Sequence, residues 1–135
     1  MASSARGPII MGIPNCDSVK KARRWLEGRS VDYDFRDVRQ QPLSSAELAS
    51  LIDQIGAAAF VNRGSSSWRA LDEAARGVVE TAIASPEDSA AQTALVALMA
   101  EHQTMIKRPV LVQKGRASTG FSPPGWEKMF EARSE

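Results

Sequence analysis

Cys16 is the only cysteine in this sequence, and its neighbours give it chemical interest. Before it runs a short apolar, β-branched stretch, Ile9-Ile10-Met11-Gly12-Ile13, stopped by Pro14-Asn15. After it, Val19, Ala22 and Leu26 recur along one helical face, so the thiol is expected at a strand-to-helix junction. Backbone N–H groups and the helix dipole favour negative charge there, which suits a thiolate nucleophile. Asp17 works against this, because a neighbouring carboxylate disfavours a thiolate. A lone cysteine is also commonly a small buried hydrophobe, and only its position at a helix start argues for more. His102 is the only imidazole. It falls at the end of a helix far along the chain, where an ordinary surface histidine is expected rather than a base for Cys16. One Cys and one His make neither a zinc cluster nor an internal disulfide. No P-loop, G-x-G-x-x-G or H-E-x-x-H occurs, so nucleotide and zinc chemistry have no support.

The elements that must hold Cys16 can be read along the chain. The apolar run over residues 9–13 predicts a buried strand. Asn15 is the expected N-cap of the helix that follows and Gly28 its expected C-cap. Val31 to Arg36 alternates apolar and polar residues, as a half-buried strand does. From Pro42 the pattern is helical. Ser44 and Glu47 form a capping box ahead of Leu48, Leu51, Ile52 and Ile55, and Gly56 closes that helix. Another helix is expected from Ser65 through Trp68 and Leu71 to Val79, with Gly77 predicting its division into two pieces. Ser85-Pro86 breaks the chain, and Leu95, Leu98 and Met99 mark a further helix. Strands return at Pro109–Gln113 and Ala117–Phe121 around the Lys114-Gly115-Arg116 turn. A last helix opens at Ser122-Pro123-Pro124, with Trp126, Met129 and Phe130 on its apolar face. Trp25, Trp68 and Trp126 all take apolar helical positions, where packing explains them better than ligand stacking.

The composition bounds the function. The chain has 135 residues, 43% hydrophobic and 24% charged, with a net charge of +1. That suits one domain over 1–135 with a core that needs no staples. The near-neutral balance favours neither nucleic acid nor a membrane surface as partner. No apolar run reaches the length of a membrane span, and residues 1–7 read as a mobile lead-in rather than a signal peptide. A cytoplasmic monomer is expected.

Gly12-Ile13-Pro14-Asn15-Cys16-Asp17-Ser18-Val19-Lys20-Lys21-Ala22 resembles the active-site segment of the arsenate reductase (ArsC)-like family, most closely its YffB branch. Asn62-Arg63-Gly64 with Trp68-Arg69, then Ile106-Lys107-Arg108-Pro109, match that branch in the same order. The resemblance spans about residues 9–132. It implies an α/β, thioredoxin-like fold, β-α-β … β-β-α, with a mixed four-stranded sheet. Residues 9–41 and 106–132 would form the core and 42–105 a helical insertion within it. It also implies that Cys16 is the nucleophile and that Arg63 and Arg108 hold an oxyanion or a substrate carboxylate. Pro109 would be a cis-proline beside the thiol, and Asn15 would complete the substrate or glutathione site. Arg69 is as well explained by a structural role.

Two departures narrow the expected chemistry. Val19 stands where related thiol proteins, including the Spx regulators, carry a second cysteine, so turnover would need an external thiol such as glutathione. Arsenate reductases proper resemble one another in a further Arg near the C-terminal hairpin. Here Ser118 to Ser122 occupy that region, and Arg116 comes too early. The expected function is a glutathione-dependent monothiol reductase with no bound cofactor or metal, glutathione serving as co-substrate. An arsenate reductase is one alternative. A non-enzymatic, Spx-like protein that docks on RNA polymerase is the other.

Overall fold

The computed structural model describes residues 7–134. Of the lead-in expected over residues 1–7, all but Gly7 lies outside them. The chain forms two compact units, one from its two ends (1–37 and 108–135) and one from Val38 to Lys107.

In the first unit, β1 (Ile9–Gly12), α1 (Asp17–Gly28) and β2 (Asp34–Asp37) form a β-α-β element with its strands parallel, Ile9 facing Asp34 and Gly12 facing Asp37. After the second unit come β3 (Val110–Gln113), β4 (Arg116–Thr119) and α7 (Pro123–Ser134). β3 lies antiparallel to β1, with Ile10 facing Leu111, and β4 antiparallel to β3. The sheet order is β2-β1-β3-β4. A mixed four-stranded sheet with this connectivity is thioredoxin-like. β1 and β3 are central and apolar, Ile10, Met11, Val110 and Leu111 all being buried, as expected of strands covered on both faces. Ile10 and Leu111 join Ala22 and Leu26 of α1 and Trp126 and Phe130 of α7 in one core. Trp25, Phe121, Trp126 and Phe130 meet edge-on or tilted, the tightest pair, Phe121–Trp126, at 4.9 Å. The buried Trp126 indole N–H donates to the Gly120 carbonyl at 3.2 Å, so its polar atom is not stranded.

The second unit is helical: α2 (Ser45–Ile55), α3 (Ala57–Phe60), α4 (Ser66–Ala70), α5 (Glu73–Ala84), α6 (Ser89–Glu101) and a 3₁₀ turn (Gln103–Met105). The Ser44–Glu47 capping box forms in both directions, at 3.1 and 2.9 Å. Gly56 ends α2 with φ 94°, a conformation that favours glycine. Leu48, Phe60, Val79, Leu95, Met99 and Met105 are fully buried. The unit's C-terminal end is tied to its middle where Lys107 N–H donates to Phe60 O and Asn62 N–H to Met105 O, and to its N-terminal part where Gln103 Nε2 donates to Leu43 O at 2.9 Å.

Several boundaries differ from those expected, each for a local reason. Cys16, not Asn15, is the N-cap of α1. Gly28 lies inside α1, Arg29 caps it, and Ser30 takes the left-handed conformation (φ 58°). Val31 still donates to Leu26 O, so β2 begins only at Asp34. β3 starts after Pro109, which has no N–H to give a ladder. β4 starts one residue early and ends at Thr119, before Gly120 at φ 82°. Gly77 does not divide a helix. The break falls at Leu71-Asp72, where Asp72 caps α5 through Ala75 N–H. Arg76 meanwhile reaches back to the last carbonyls of α4, Trp68 O and Arg69 O. Trp68 is half-buried, its ring 5.7 Å from the Arg76 guanidinium, so it packs at a rim.

Trp126→Ala is expected to cost about 3–5 kcal/mol of stability, since it removes a buried ring from the aromatic core. Trp126→Phe, which keeps a ring and loses the bond to Gly120, should cost distinctly less. Equal losses in urea unfolding of the two variants would contradict this packing.

Candidate active site around Cys16

The end of β1 and the start of α1 are joined by a very short turn. Cys16 N–H donates back to Ile13 O at 3.2 Å, and Cys16 O accepts from Lys20 N–H at 2.9 Å as the first helical bond of α1. Cys16 is therefore extended backbone (φ −88°, ψ 129°) at the helix threshold. Its side chain makes no capping hydrogen bond. The N–H groups of Asp17, Ser18 and Val19 have no carbonyl within the helix to bond. A half-buried thiol at an N-cap thus faces the positive end of a helix. Asp17 and the neighbouring Asn15 are exposed.

Opposite this turn lies the start of β3. The ladder between β1 and β3 ends at Met11–Val110, so one step further Gly12 faces Pro109. The Arg108–Pro109 peptide bond is cis. Pro109 is buried, and its carbonyl accepts from Gly120 N–H at 2.9 Å. Gly12 has no spare room. A Cβ there would lie 2.6 Å from Val19 Cγ2 and 3.8 Å from Arg108 Cβ and Cγ. The missing side chain lets α1 begin directly against the strand end and lets Arg108 run alongside. Arg108 is half-buried, and its Nη1 is out of contact with solvent and has no hydrogen-bond partner. A buried guanidinium N–H without an acceptor is costly, so this atom marks a place where an acceptor is wanted.

The hairpin also orients what lies nearby. Thr119 pairs with Val110, so Ser118, Thr119 and Gly120 sit at the Pro109 end of the sheet. Arg116 pairs with Gln113 at the other end of the hairpin, three strand steps or about 10 Å away. That end of β4 carries hydroxyls and no cation. Ser118 is turned toward Met129 Sδ, at 3.9 Å.

The structure brings Asn15, Cys16, Arg108 and Pro109 to one end of the first unit's sheet. Arg63 belongs to the second unit, where its Nη1 bonds Glu80 Oε1 at 3.2 Å with both side chains about half exposed. Arg69 donates to Gly64 O at 3.0 Å, a structural role in the Asn62–Ser65 turn. His102 ends α6 in the same unit, its backbone N–H bonded to Met99 O. Tyr33, away from the thiol, is raised above its ordinary pKa by burial; Arg23 lowers it and the Glu27 carboxylate raises it further. Among the described residues no helix is long and apolar enough to cross a membrane. Nor do three or more Cys, His, Asp or Glu among them converge in a way that could hold a metal ion.

Residues 11–129 match the ArsC family. The chain belongs to the ArsC family. It is 33% identical over 121 residues to an uncharacterised protein of Haemophilus influenzae, covering 90% of this chain and 96% of that one. The solved structure of the YffB protein superposes with a TM-score of 0.75 at 31% identity, covering 90% of this chain and 96% of the other. A global transcriptional regulator Spx of Streptococcus pyogenes is 28% identical over 111 residues, 81% of this chain and 74% of the regulator. The fold shared with these relatives is the thioredoxin-like one built here from β1 to α7.

Reading the sequence missed Gly12 and Glu80. A glycine inside a β-branched run signals close backbone approach, so Gly12 was available to find. Glu80, seventeen residues after Arg63, left no local trace. Gly12→Ala should destabilise the protein by about 1–3 kcal/mol through the clash with buried Val19. Adding Val19→Ala should recover part of that loss. If Gly12→Ala unfolds in urea like the parent protein, the close approach is not a constraint.

Proposed function

We propose that this ArsC-family protein is a glutathione-dependent monothiol reductase that uses Cys16 as its nucleophile. The observation that carries the reading is Arg108 Nη1, a buried donor with no partner in the sheet end that carries the thiol. An anionic acceptor bonded there would sit among charge-assisted donors and against the α1 N-terminus. A glutathione carboxylate meets that description.

The chemistry balances with one protein thiol. Cys16 thiolate attacks one sulfur of a disulfide R–S–S–G, forming a Cys16–glutathione mixed disulfide and releasing R–S⁻ with the electron pair. A second glutathione thiolate attacks the mixed disulfide, forms oxidised glutathione and returns Cys16 as thiolate. Val19 at the position of a second cysteine leaves this external step as the route home. Pro109 closes one wall beside the thiol, and Asn15 is proposed at the exposed rim. Arg63 enters from the family resemblance alone, and it would have to leave Glu80 to contribute. No bound cofactor takes part. The reaction belongs in the cytoplasm, where a reduced glutathione pool is available, and is proposed for a monomer.

Incubation with oxidised glutathione followed by intact-mass measurement should show one adduct, absent in Cys16→Ser. Arg108→Ala should weaken glutathione binding by about one to two decades, the loss of a charge-assisted hydrogen bond of about 1.5–3 kcal/mol. Arg108→Lys, which keeps the charge but not the fork, should fall between. Unchanged affinity in both variants would remove Arg108 from the site.

Arsenate is expected to be a poor substrate. A multiply charged oxyanion stripped of water needs several charged donors, and the hairpin offers Ser118 and Thr119 where a cation would be needed. A coupled assay with glutathione, glutaredoxin and arsenate should give no Cys16-dependent turnover. Robust turnover would make arsenate reduction the better reading.

A further inference from the structure

The first unit is more basic than the whole chain suggests. Residues 1–37 and 108–135 hold twelve Lys and Arg against eight Asp and Glu, whereas 38–107 hold five against eight. A net charge of +1 therefore hides a thiol-bearing unit at +4. Part of that charge is used internally. Arg23 bonds the Tyr33 hydroxyl at 2.9 Å and lies 4.1 Å over the Phe35 ring. Arg29 pairs with Glu127 at 2.7 Å and stacks on Trp25. Lys20, Lys21 and Arg24 are different. All three are exposed, and none of their side chains makes an ion pair or hydrogen bond among the described residues. At about 100° per residue they fall on the face of α1 opposite the buried Val19, Ala22 and Leu26. Lys20 stands one turn from Cys16 and Arg24 two turns, which makes a strip about 12 Å long leading away from the thiol. The same face carries exposed Asp17, the one anion of the first turn, and at its far end exposed Glu27, whose Oε2 accepts from the Tyr33 hydroxyl at 2.7 Å. The strip is thus a local cationic excess rather than a purely basic face.

We propose that the strip Lys20–Lys21–Arg24 docks an acidic polypeptide and presents its mixed disulfide with glutathione to Cys16. This rests on the thiol-reductase reading above and names its substrate class. Three cations on one helix face match two or three carboxylates on a peptide flank. They are too few and too local for a nucleic-acid backbone, whose binding proteins commonly neutralise six or more phosphates. Cys16 thiolate attacks the glutathione sulfur of the docked disulfide. The Cys16–glutathione bond forms, the peptide–glutathione bond breaks, and the peptide leaves as thiolate with the electron pair. Free glutathione then regenerates Cys16 as described.

The test uses the full chain and two glutathionylated peptides that differ only in flanking Glu or Gln. Transfer of glutathione to Cys16 is followed by intact mass. At about 0.01 M salt the acidic peptide should react about tenfold faster, and at about 1 M salt the difference should vanish. Lys20→Glu, Lys21→Glu and Arg24→Glu combined should abolish or invert the preference. The Gln counterparts should reduce it. In both, the readout is the ratio of acidic-peptide to Gln-peptide rates, in which any change in thiol reactivity, followed by alkylation with neutral iodoacetamide, cancels. Circular dichroism as in the parent separates lost docking from a lost fold. Equal rates for the two peptides, or a preference that survives in the reversed variant, would overturn the docking strip while leaving the reductase reading in place. Protection of Cys16 by a single-stranded oligonucleotide as strong as that by the acidic peptide would overturn the assignment to a polypeptide. Transfer from neither peptide, with iodoacetamide still reacting, would remove the reductase reading and this proposal with it.

Discussion

The contact on which the site depends is Val19 lying on Gly12. A Cβ at residue 12 would come within 2.6 Å of Val19 Cγ2, so only glycine allows α1 to start this close to the end of β1. That closeness makes the connecting turn short enough for Cys16 N–H to reach Ile13 O. Cys16 is then the N-cap itself rather than a loop residue upstream of one. The same missing side chain leaves the lane in which Arg108 passes Gly12, 3.8 Å from where a Cβ would be. One absent methyl group thus sets the places of the thiol and of the guanidinium together.

The sheet supplies the rest of the frame by register. β1 and β3 are buried central strands, and a one-residue slip would turn their buried side chains to the opposite face. Register fixes Gly12 opposite Pro109, and the Gly120 N–H bond to Pro109 O fixes the hairpin's near end. It also explains why Arg116 cannot serve near Cys16. Strand pairing puts it beside Gln113, at the end of the hairpin away from Pro109.

What was legible in the sequence follows from what is local. The strand, the helix and the thiol between them could be read because apolar periodicity and turn residues act over a few positions. The Ser44–Glu47 capping box could be read for the same reason. Asn15 was the better N-cap by residue type, yet Cys16 holds that position. Backbone geometry at the strand end decides where the helix begins, and no side-chain capping bond is formed there. Gly77 was read as a helix breaker, but the 0.5–1 kcal/mol cost of a glycine is small beside the caps that Asp72 and Arg76 provide one turn upstream. Arg108's unpartnered nitrogen had no sequence signature beyond family resemblance, since burial of one atom depends on the whole surrounding chain. The charge division was hidden for a simpler reason: the basic unit is split between the two ends of the sequence.

The single thiol and the Gly12 contact are linked through Val19. The position that would hold a second cysteine is fully buried and serves as the side chain packed on Gly12. A resolving thiol there would have to be both a core atom at the base of α1 and a nucleophile able to reach Cys16. Valine keeps only the first task, and its stiff, branched side chain fills the space with little rotamer freedom to lose. In the proposed reductase reaction the redox cycle is then completed from outside the chain, by a thiol that arrives in solution. An external thiol must be recognised before it can react, and the unpartnered buried Arg108 donor is suited to provide that recognition. In the proposed reaction, valine at this position shifts the demand from internal geometry to binding.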